Sequence, residues 1–225
     1  MKHLSIIIVA FLAGLDCGVL ADSCDTLRGE AAVVRSVQSA VKFHTLSRAV
    51  SSTIVPVSVG VSAGLFAAGH INKDKYDATS GVVLLSAEVL TLGTTMLLKE
   101  VFHRPRPWRA HPTCITPGSK DDEYSFPSGH SSSAATLATY LSLRYPAWYV
   151  VAPAVLYAGY TWYARMNLGV HYPSDVITGA LIGTAIGYAA YRLTETVQSK
   201  IEPVLPLRGV PIQRGFPTVT LRIPL

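Results

Sequence analysis

Residues 79–98 read TSGVVLLSAEVLTLGTTMLL, an apolar stretch of 20 residues that contains one carboxylate, Glu88. Crossing the hydrocarbon core of a bilayer takes about 20 predominantly apolar residues when the segment is helical. A helix is the expected form, because a spanning segment must satisfy its backbone hydrogen bonds internally. This stretch therefore predicts a membrane-spanning helix.

Four further apolar stretches accompany it, at residues 52–68, 131–143, 148–163 and 177–193. Each of these four reaches spanning length only when its flanks are included. The chain of 225 residues is 49% hydrophobic and 15% charged, with a mean hydropathy of +0.34, which leaves too few charges for an ordinary soluble surface. We therefore expect an all-α fold, an integral membrane helical bundle of about five transmembrane helices.

The remaining segments predict three further parts of the chain. Residues 1–21, with Lys2 and a short apolar run, are typical of a signal peptide, and an uncleaved first membrane helix is the alternative. Residues 22–50 carry valines at helical spacing with basic residues between them, which predicts an amphipathic helix on the membrane surface or packed on the protein. Residues 51–195 form the membrane domain, and the prolines and arginines of residues 196–225 predict a tail.

Basic residues in the short turns predict the orientation of the bundle. Lys73 and Lys75 lie between the first two stretches, and Arg144 lies between the third and the fourth, which places both turns on the cytoplasmic side. The opposite ends of the helices then share the outer face. Cys24 and Cys114 would both lie outside the cytoplasm, where two thiols in an oxidising compartment either pair or remain free.

Small and polar residues within the stretches predict which faces turn inward. Gly179, Gly183 and Gly187 lie four residues apart and offer a smooth surface to another helix, either within the monomer or in a dimer. Glu88 precedes Lys99 by eleven residues, close to three helical turns, so both side chains point from one face. Because a carboxyl group at this depth is unfavourable in lipid, we expect Glu88 to face the bundle interior.

Three short polar blocks fall at the predicted outer ends of the helices. They are Lys99 with Arg106-Pro107, the run Pro127-Ser128-Gly129-His130, and Arg165 with His171 and Asp175. A phosphate monoester carries two negative charges, and Lys99, Arg106 and Arg165 offer three cations with hydrogen-bond donors. Pro127 suits the first turn of a helix and leaves the backbone N–H groups that follow it at the positive helix end. Together the blocks predict a phosphate-binding site.

The two histidines predict a division of labour in phosphoryl transfer, which requires a nucleophile and a proton donor. Asp175 follows His171 by four residues, near the start of the helix that Pro173 announces, and can accept from one imidazole nitrogen. His171 is therefore the better candidate for the nucleophile. The sequence contains no cluster of His, Asp and Glu with the spacing of a two-metal site, so neither a metal nor another cofactor is expected.

From Lys99 to Asp175 the chain resembles the type 2 phosphatidic acid phosphatases, which share their active site with bacterial acid phosphatases and vanadium haloperoxidases. The resemblance implies a six-helix α core and a phosphohistidine intermediate on His171, with His130 donating a proton to the leaving alkoxide. It also implies phosphate binding by Lys99, Arg106, Ser128, Gly129 and Arg165. The family often has Ser before the arginine of the third block, whereas this chain has Ala164, which removes one hydroxyl donor.

The resemblance and the apolar stretches together favour a membrane-bound lipid phosphatase, a metal-independent phosphoric ester hydrolase. Its candidate substrates are phosphatidic acid, phosphatidylglycerol phosphate, undecaprenyl diphosphate and lipid A. The alternatives are a non-specific acid phosphatase for soluble monoesters, a haloperoxidase, which needs vanadate and usually a larger chain, and a non-catalytic membrane scaffold. We expect a bacterial inner-membrane location with the site on the periplasmic face, and no nucleic-acid partner despite a net charge of +5.

Overall fold

The computed structural model describes residues 24, 26–40, 44–119 and 122–201, without the side chains of residues 195 and 197–201. The signal peptide predicted at residues 1–21 lies outside the described residues, as does the predicted tail beyond residue 201. The described part of the chain forms seven helices: α1 (Gly29–Ala40), α2 (His44–Asn72), α3 (Lys75–Phe102), α4 (Pro107–Ala110), α5 (Gly129–Arg144), α6 (Trp148–Asn167) and α7 (Pro173–Ile201).

Five long helices, α2, α3, α5, α6 and α7, contain the five apolar stretches of the sequence. Among the described residues, three segments are long and apolar enough to cross a membrane on their own: α2, α3 and Pro173–Thr194 of α7. Helix α5 has 16 residues and contacts each of the other four long helices, so it lies at the centre of the bundle. Its serines and threonines therefore face protein. The prediction of an all-α membrane bundle is confirmed.

The glycine stripe of α7 packs against α5 within the monomer. A Cβ atom at Gly183 would lie 1.9 Å from the carbonyl oxygen of Ser132, and one at Gly179 would lie 2.5 Å from that of Ser128. The two helix backbones thus approach so closely that side chains are excluded from these positions. Thr136 adds a hydrogen bond, because its hydroxyl donates to the carbonyl oxygen of Gly183 at 3.1 Å. The stripe is an internal contact of the bundle.

The α2–α3 and α5–α6 turns lie at the same end of the bundle, as their basic residues predict. Arg144 is nevertheless buried there, with its guanidinium 3.4 Å from the ring centroid of Tyr76 and its Nε donating to Ser80 Oγ at 2.8 Å. Tyr145 donates its hydroxyl to Asp77 at 2.7 Å. We call these five residues the turn-end cluster. The three polar blocks lie at the opposite end.

The amphipathic segment predicted at residues 22–50 is divided between two helices. α1 packs on the protein, with Val34 fully buried in an apolar cluster, whereas residues 44–50 form the first turns of α2. The side chain of Gln38 attaches α1 to the α4–α5 loop, because its amide donates to the carbonyl oxygen of Thr116 at 2.6 Å and accepts from its N–H at 3.2 Å. Of the two alternatives, the structure has the helix packed on the protein.

A disulfide bond joins Cys24 to Cys114, whose Cα atoms lie 5.3 Å apart. It links the chain just before α1 to the α4–α5 loop, 90 residues later. Both cysteines also belong to the apolar cluster around Val34. The structure therefore contains the paired alternative, and the bond holds α1 above the end of the bundle that carries the polar blocks.

Candidate active site

The end of α3 and the segment after it supply two cations. The helix ends where His103 adopts a left-handed conformation with φ of 47°, one turn after Lys99. Lys99 is buried and its Nζ donates to the carbonyl oxygen of Tyr124 at 2.5 Å. Arg106 is 1% exposed, and its Nη1 donates to the carbonyl oxygen of Val170 at 2.9 Å. Main-chain acceptors thus hold both cations in place.

The second block forms the start of α5. Ser128 is the N-cap and the helix begins at Gly129, so Pro127 lies before the cap and not in the first turn. The backbone N–H of Ser128 donates to the carbonyl oxygen of Asp175 at 3.0 Å, so this predicted phosphate donor has a partner within the protein. The helix terminus that faces the cavity described below is formed by Gly129 and His130.

The third block spans the end of α6 and the start of α7. Arg165 is 1% exposed, and its Nη1 donates to the hydroxyl of Ser51 on α2 at 2.5 Å. Pro173 begins α7 and places Asp175 in its first turn. Asp175 is fully buried, and its Oδ2 lies 3.6 Å from Nδ1 of His171. This distance is longer than a hydrogen bond, as is common for catalytic pairs without a ligand.

These elements enclose a cavity of about 300 Å³. Six of the eight predicted site residues line it: Lys99, Arg106, Gly129, His130, Arg165 and His171. The apolar side chains that line it are Ile54 and Val55 from α2 and Leu92 and Met96 from α3. Ser128 and Asp175 are fully buried and do not line the cavity, and neither does Ala164, which stands where a serine was expected. A cavity lined by cations and by apolar side chains suits an amphipathic ligand.

The contacts of His171 indicate its tautomer. Nη1 of Arg106 lies 3.2 Å from Nε2 of His171, and a guanidinium can only donate. Nε2 must therefore accept, which places the ring proton on Nδ1, the atom nearest Asp175. Burial holds the pKa of His171 well below its ordinary value, and the charges of Arg165, Arg106 and Lys99 lower the pKa further. A neutral imidazole with a lone pair on Nε2 is the form that a nucleophile requires.

Asp122 also lies at the site, although it belongs to none of the three polar blocks. Its carboxylate contacts Nζ of Lys99 at 3.1 Å and also Nη2 of Arg106. Its carbonyl oxygen accepts from Nε of Arg106 at 2.6 Å, and the side chain is 58% exposed at the cavity. The carboxylate therefore forms ion pairs with two of the three cations that were predicted to bind phosphate. Its place in an acidic run between the first two blocks is the only signal of this role in the sequence.

Arg104 contacts Asp175 from outside the predicted blocks, and Glu30 contacts Arg104 in turn. Nη1 of Arg104 donates to Oδ1 of Asp175 at 2.6 Å, and Nη2 pairs with Glu30 of α1 at 2.5 Å. Arg104 belongs to the proline-rich segment that also contains Arg106, which is a weak signal. Glu30 lies 74 positions before Arg104, and its spacing gives no signal.

The positive charges at the cavity come from protein side chains. Lys99, Arg106 and Arg165 line it together, and each is buried. Within residues 26–40, 44–119 and 122–201, His, Cys, Asp and Glu form no group of three or more that could hold a metal ion. Metal-independent chemistry stays a prediction.

Comparison with known proteins identifies the family. The model of the PAP2 superfamily matches residues 80–199, more than half of the chain. The decaprenylphosphoryl-5-phosphoribose phosphatase of Mycolicibacterium smegmatis is 34% identical over 159 residues, 69% of this chain and 83% of that protein. The undecaprenyl-diphosphatase of Sulfolobus acidocaldarius is 32% identical over 127 residues, 56% of this chain and 61% of that protein. The chain thus spans less than two thirds of the length of the second relative.

A solved structure agrees with these matches. The crystal structure of LpxE from Aquifex aeolicus has a TM-score of 0.58 and 25% sequence identity, over 74% of this chain and 97% of that chain. Three helices in the described part of the chain are long and apolar enough to cross a membrane, which supports a membrane location. The chain belongs to the PAP2 superfamily, and the resemblance of its three polar blocks to that family is confirmed.

Proposed function

We propose that the protein is a membrane-bound lipid phosphatase, a phosphoric ester hydrolase that acts through a phosphohistidine. One observation carries the proposal: the same cavity is lined by three cations, two histidines and the apolar side chains of two membrane helices. The two relatives described above are named as phosphatases of undecaprenyl and decaprenyl compounds, which are phosphorylated lipids. A phosphate headgroup and an apolar tail match the two kinds of surface.

In the first chemical step, Nε2 of His171 attacks phosphorus and the bond to the leaving oxygen breaks. His130 donates its proton to that oxygen, and a phosphohistidine remains on the protein. Water then attacks the phosphohistidine, His130 accepts the proton of the water, and inorganic phosphate leaves. Asp175 stabilises the positive charge that develops on the ring of His171 during the attack.

The phosphate oxygens bind to Lys99, Arg106 and Arg165 and to the helix terminus at Gly129. These groups act on charge that grows in the transition state, and the burial of the three cations strengthens their effect. Ser128 contributes by capping α5, which fixes the direction of the helix terminus. Removing one such donor from a preorganised site commonly slows catalysis by about 10²–10³-fold.

The lipid tail lies between α2 and α3 in this proposal. Val55 and Met96 line the cavity and are both exposed, so an acyl or prenyl chain can leave the cavity sideways through this gap. Each methylene group that is transferred from water into this gap or into lipid contributes about 0.8 kcal/mol. Chain length should therefore change the apparent affinity strongly, while the headgroup sets the chemistry.

The site lies on the outer, periplasmic face of a bacterial inner membrane in this proposal. Lys73 and Lys75 lie at the opposite end of the bundle, which favours a cytoplasmic position for that end. The disulfide between Cys24 and Cys114 supports the same orientation, because such bonds persist in oxidising compartments.

The experiment is phosphate release by purified full-length protein in detergent. Phosphatidic acid, phosphatidylglycerol phosphate, undecaprenyl diphosphate and lipid A are compared with short-chain and water-soluble monoesters. We expect higher kcat/KM for long-chain substrates, inhibition by vanadate and unchanged activity in EDTA. Equal kcat/KM for soluble and long-chain monoesters would favour the soluble-type acid phosphatase, and loss of activity in EDTA would favour a metal-assisted mechanism. Complete inactivity on the whole panel would favour the scaffold alternative.

A further inference from the structure

Arg104 connects the catalytic end of α7 to the N-terminal helix α1. Its Nη1 donates to Oδ1 of Asp175 and to the hydroxyl of Ser174, both at 2.6 Å. Its Nη2 donates to Oε2 of Glu30 at 2.5 Å. The guanidinium also lies over the ring of Tyr172, 4.1 Å from its centroid. Four contacts from two segments of the chain, α1 and residues 172–175, therefore fix the position of this one side chain.

The carboxylate of Asp175 is held from two sides. Oδ1 accepts from Arg104, and Oδ2 accepts from the backbone N–H of Tyr172 at 2.8 Å. Oδ2 is also the oxygen nearest Nδ1 of His171. Rotation of the carboxylate about its last bond would break at least one of these contacts. Arg104 and the Tyr172 N–H thus fix the plane of the carboxylate relative to the imidazole.

Glu30 holds Arg104 in turn. Its Oε1 accepts from the backbone N–H of Ser174 at 2.8 Å while Oε2 pairs with Arg104. Burial raises the pKa of Glu30, but hydrogen bonds from Arg104 and Ser174 outweigh that effect and leave the pKa below its ordinary value. Glu30 therefore stays ionised at neutral pH. The disulfide at Cys24 lies six positions earlier and anchors this part of the chain.

We propose that Arg104 and Glu30 are positioning residues for the nucleophile. Glu30 fixes Arg104, and Arg104 fixes Asp175. Asp175 acts from the Nδ1 side of His171 and Arg106 donates on the Nε2 side, so that together they keep the ring proton on Nδ1. This inference rests on the proposed function, because it assigns a role in the attack on phosphorus. It also gives α1 a part in catalysis that no polar block of the sequence predicts.

A purely structural ion pair predicts a different result from a positioning role. Loss of a structural contact would lower the folded fraction and leave the kcat of the folded protein unchanged. Loss of positioning would lower kcat while KM stays nearly constant, because Lys99, Arg106 and Arg165 still bind phosphate. The split between kcat and KM therefore separates the two roles.

The first measurement compares Arg104→Ala, Arg104→Lys and Glu30→Gln in the full-length protein. We expect Arg104→Ala to lower kcat by about 10–100-fold with KM within about threefold, since residues that orient a catalytic group commonly have effects of this size. Glu30→Gln should lower kcat by less. Because the Arg104 side chain is 29% exposed, millimolar guanidinium should partly restore Arg104→Ala. The inhibition constant of inorganic phosphate should stay unchanged in all three variants, which also verifies that they are folded.

Arg109→Ala is the matched control. Arg109 lies in α4, five positions after Arg104, pairs with Glu123 at 3.1 Å and stacks over Trp108, so the variant removes a comparable ion pair close by in the chain. We expect its kcat to be unchanged. An equal loss of kcat in Arg109→Ala and Arg104→Ala, or a rise in KM as large as the fall in kcat, would overturn the proposal.

The second measurement needs no turnover. In ¹⁵N-histidine-labelled protein, with the His171 signal assigned from a His171→Gln spectrum, the wild type should show a protonated Nδ1 and an unprotonated Nε2. Arg104→Ala should move the two shifts towards each other as both tautomers become populated, and Arg109→Ala should not. Unchanged shifts in Arg104→Ala would overturn the positioning role. If the wild type hydrolyses none of the lipids, the proposed function fails, and this spectrum still decides the positioning.

Discussion

The two ends of the helix bundle both bury an arginine, but they do so in different surroundings. At the turn end, Arg144 donates to Ser80 and to the carbonyl oxygen of Tyr76 and covers the Tyr76 ring. At the other end, Arg106 contacts one main-chain oxygen of α6–α7 but also His171 and the exposed carboxylate of Asp122. Arg106 lines the cavity, and Arg144 does not.

The difference shows that burial alone does not mark a functional arginine. The partners of Arg144 all belong to helix α3. A ligand could bind Arg144 only by displacing these partners and disrupting the turn-end cluster. Two partners of Arg106 lie at an open cavity, and an anionic ligand can replace them without unfolding anything. Exchangeable partners beside a cavity are therefore the better criterion for a binding arginine.

The largest expected effect comes from the histidines at the cavity end. His171→Ala removes the proposed nucleophile and His130→Ala removes the proposed proton donor, so each should lower phosphate release by at least ~10²–10⁴-fold. Size-exclusion profiles and thermal unfolding in detergent should stay close to wild type. Activity within about tenfold of wild type in either variant would contradict the mechanism and remove the functional contrast between the ends.

The sharpest comparison replaces each buried arginine by lysine. Arg106→Lys keeps the charge but loses the planar donor geometry, so kcat/KM should fall by about 100-fold with a small change in Tm. Arg144→Lys should lower the free energy of unfolding by about 1–3 kcal/mol, because hydrogen bonds and ring contact are lost, and should retain kcat. Activity assays and thermal scans on both variants decide the point. A loss of activity in Arg144→Lys together with a loss of stability but not of activity in Arg106→Lys would contradict the comparison.

A third prediction concerns the close contact between α5 and α7 at the centre of the bundle, between its two ends. Gly183→Ala would place a Cβ atom 1.9 Å from the carbonyl oxygen of Ser132, so α5 and α7 must separate. We expect a loss of about 1–3 kcal/mol in unfolding free energy. Gly93→Ala is the control, because its added Cβ would meet nothing within 4 Å and alanine favours a helix. Equal Tm values for the two variants would show that the close approach is not required.

The smallest expected effect concerns Asp122, which competes with an anionic ligand for Lys99 and Arg106. Asp122→Asn should tighten vanadate binding and lower the KM by about two- to fivefold, since an exposed ion pair contributes up to about 1 kcal/mol. Glu123→Gln, whose partner is Arg109, should leave both quantities unchanged. Weaker vanadate binding in Asp122→Asn would show that the carboxylate supports the site and does not compete with ligands.

The parts of the fold that the sequence predicted are those with a local signal. Apolar runs located the long helices, and the glycines spaced by four anticipated one face of α7. The polar blocks predicted which side chains would meet because each block lies at the end of an apolar run. Six of the eight predicted site residues line one cavity, and Asp175 lies behind His171 as their spacing indicates.

The parts that sequence reasoning missed depend on contacts between distant segments. Residues 22–50 show one periodicity, but Gln38 packs on a loop whereas Ser47 donates to Asn167 of α6, so the segment divides into two helices. The link from Glu30 to Arg104 joins residues 74 positions apart, and no local pattern encodes it. The position of Arg144 in a turn predicted the orientation of the bundle. Its burial was not predicted, because the aromatic ring that covers it belongs to α3.

The central position of α5 has a consequence for how the chain enters a membrane during synthesis. At 16 residues the helix is about 24 Å long, shorter than the ~30 Å hydrocarbon core, and its buried face carries serines and threonines. Such a segment has little tendency to partition into lipid by itself, and its partner, the glycine stripe of α7, is translated only after α6. We expect α5 to remain beside the insertion machinery until α7 arrives. Because His130 is carried by α5, the first appearance of phosphatase activity should then report that the last helix has been inserted.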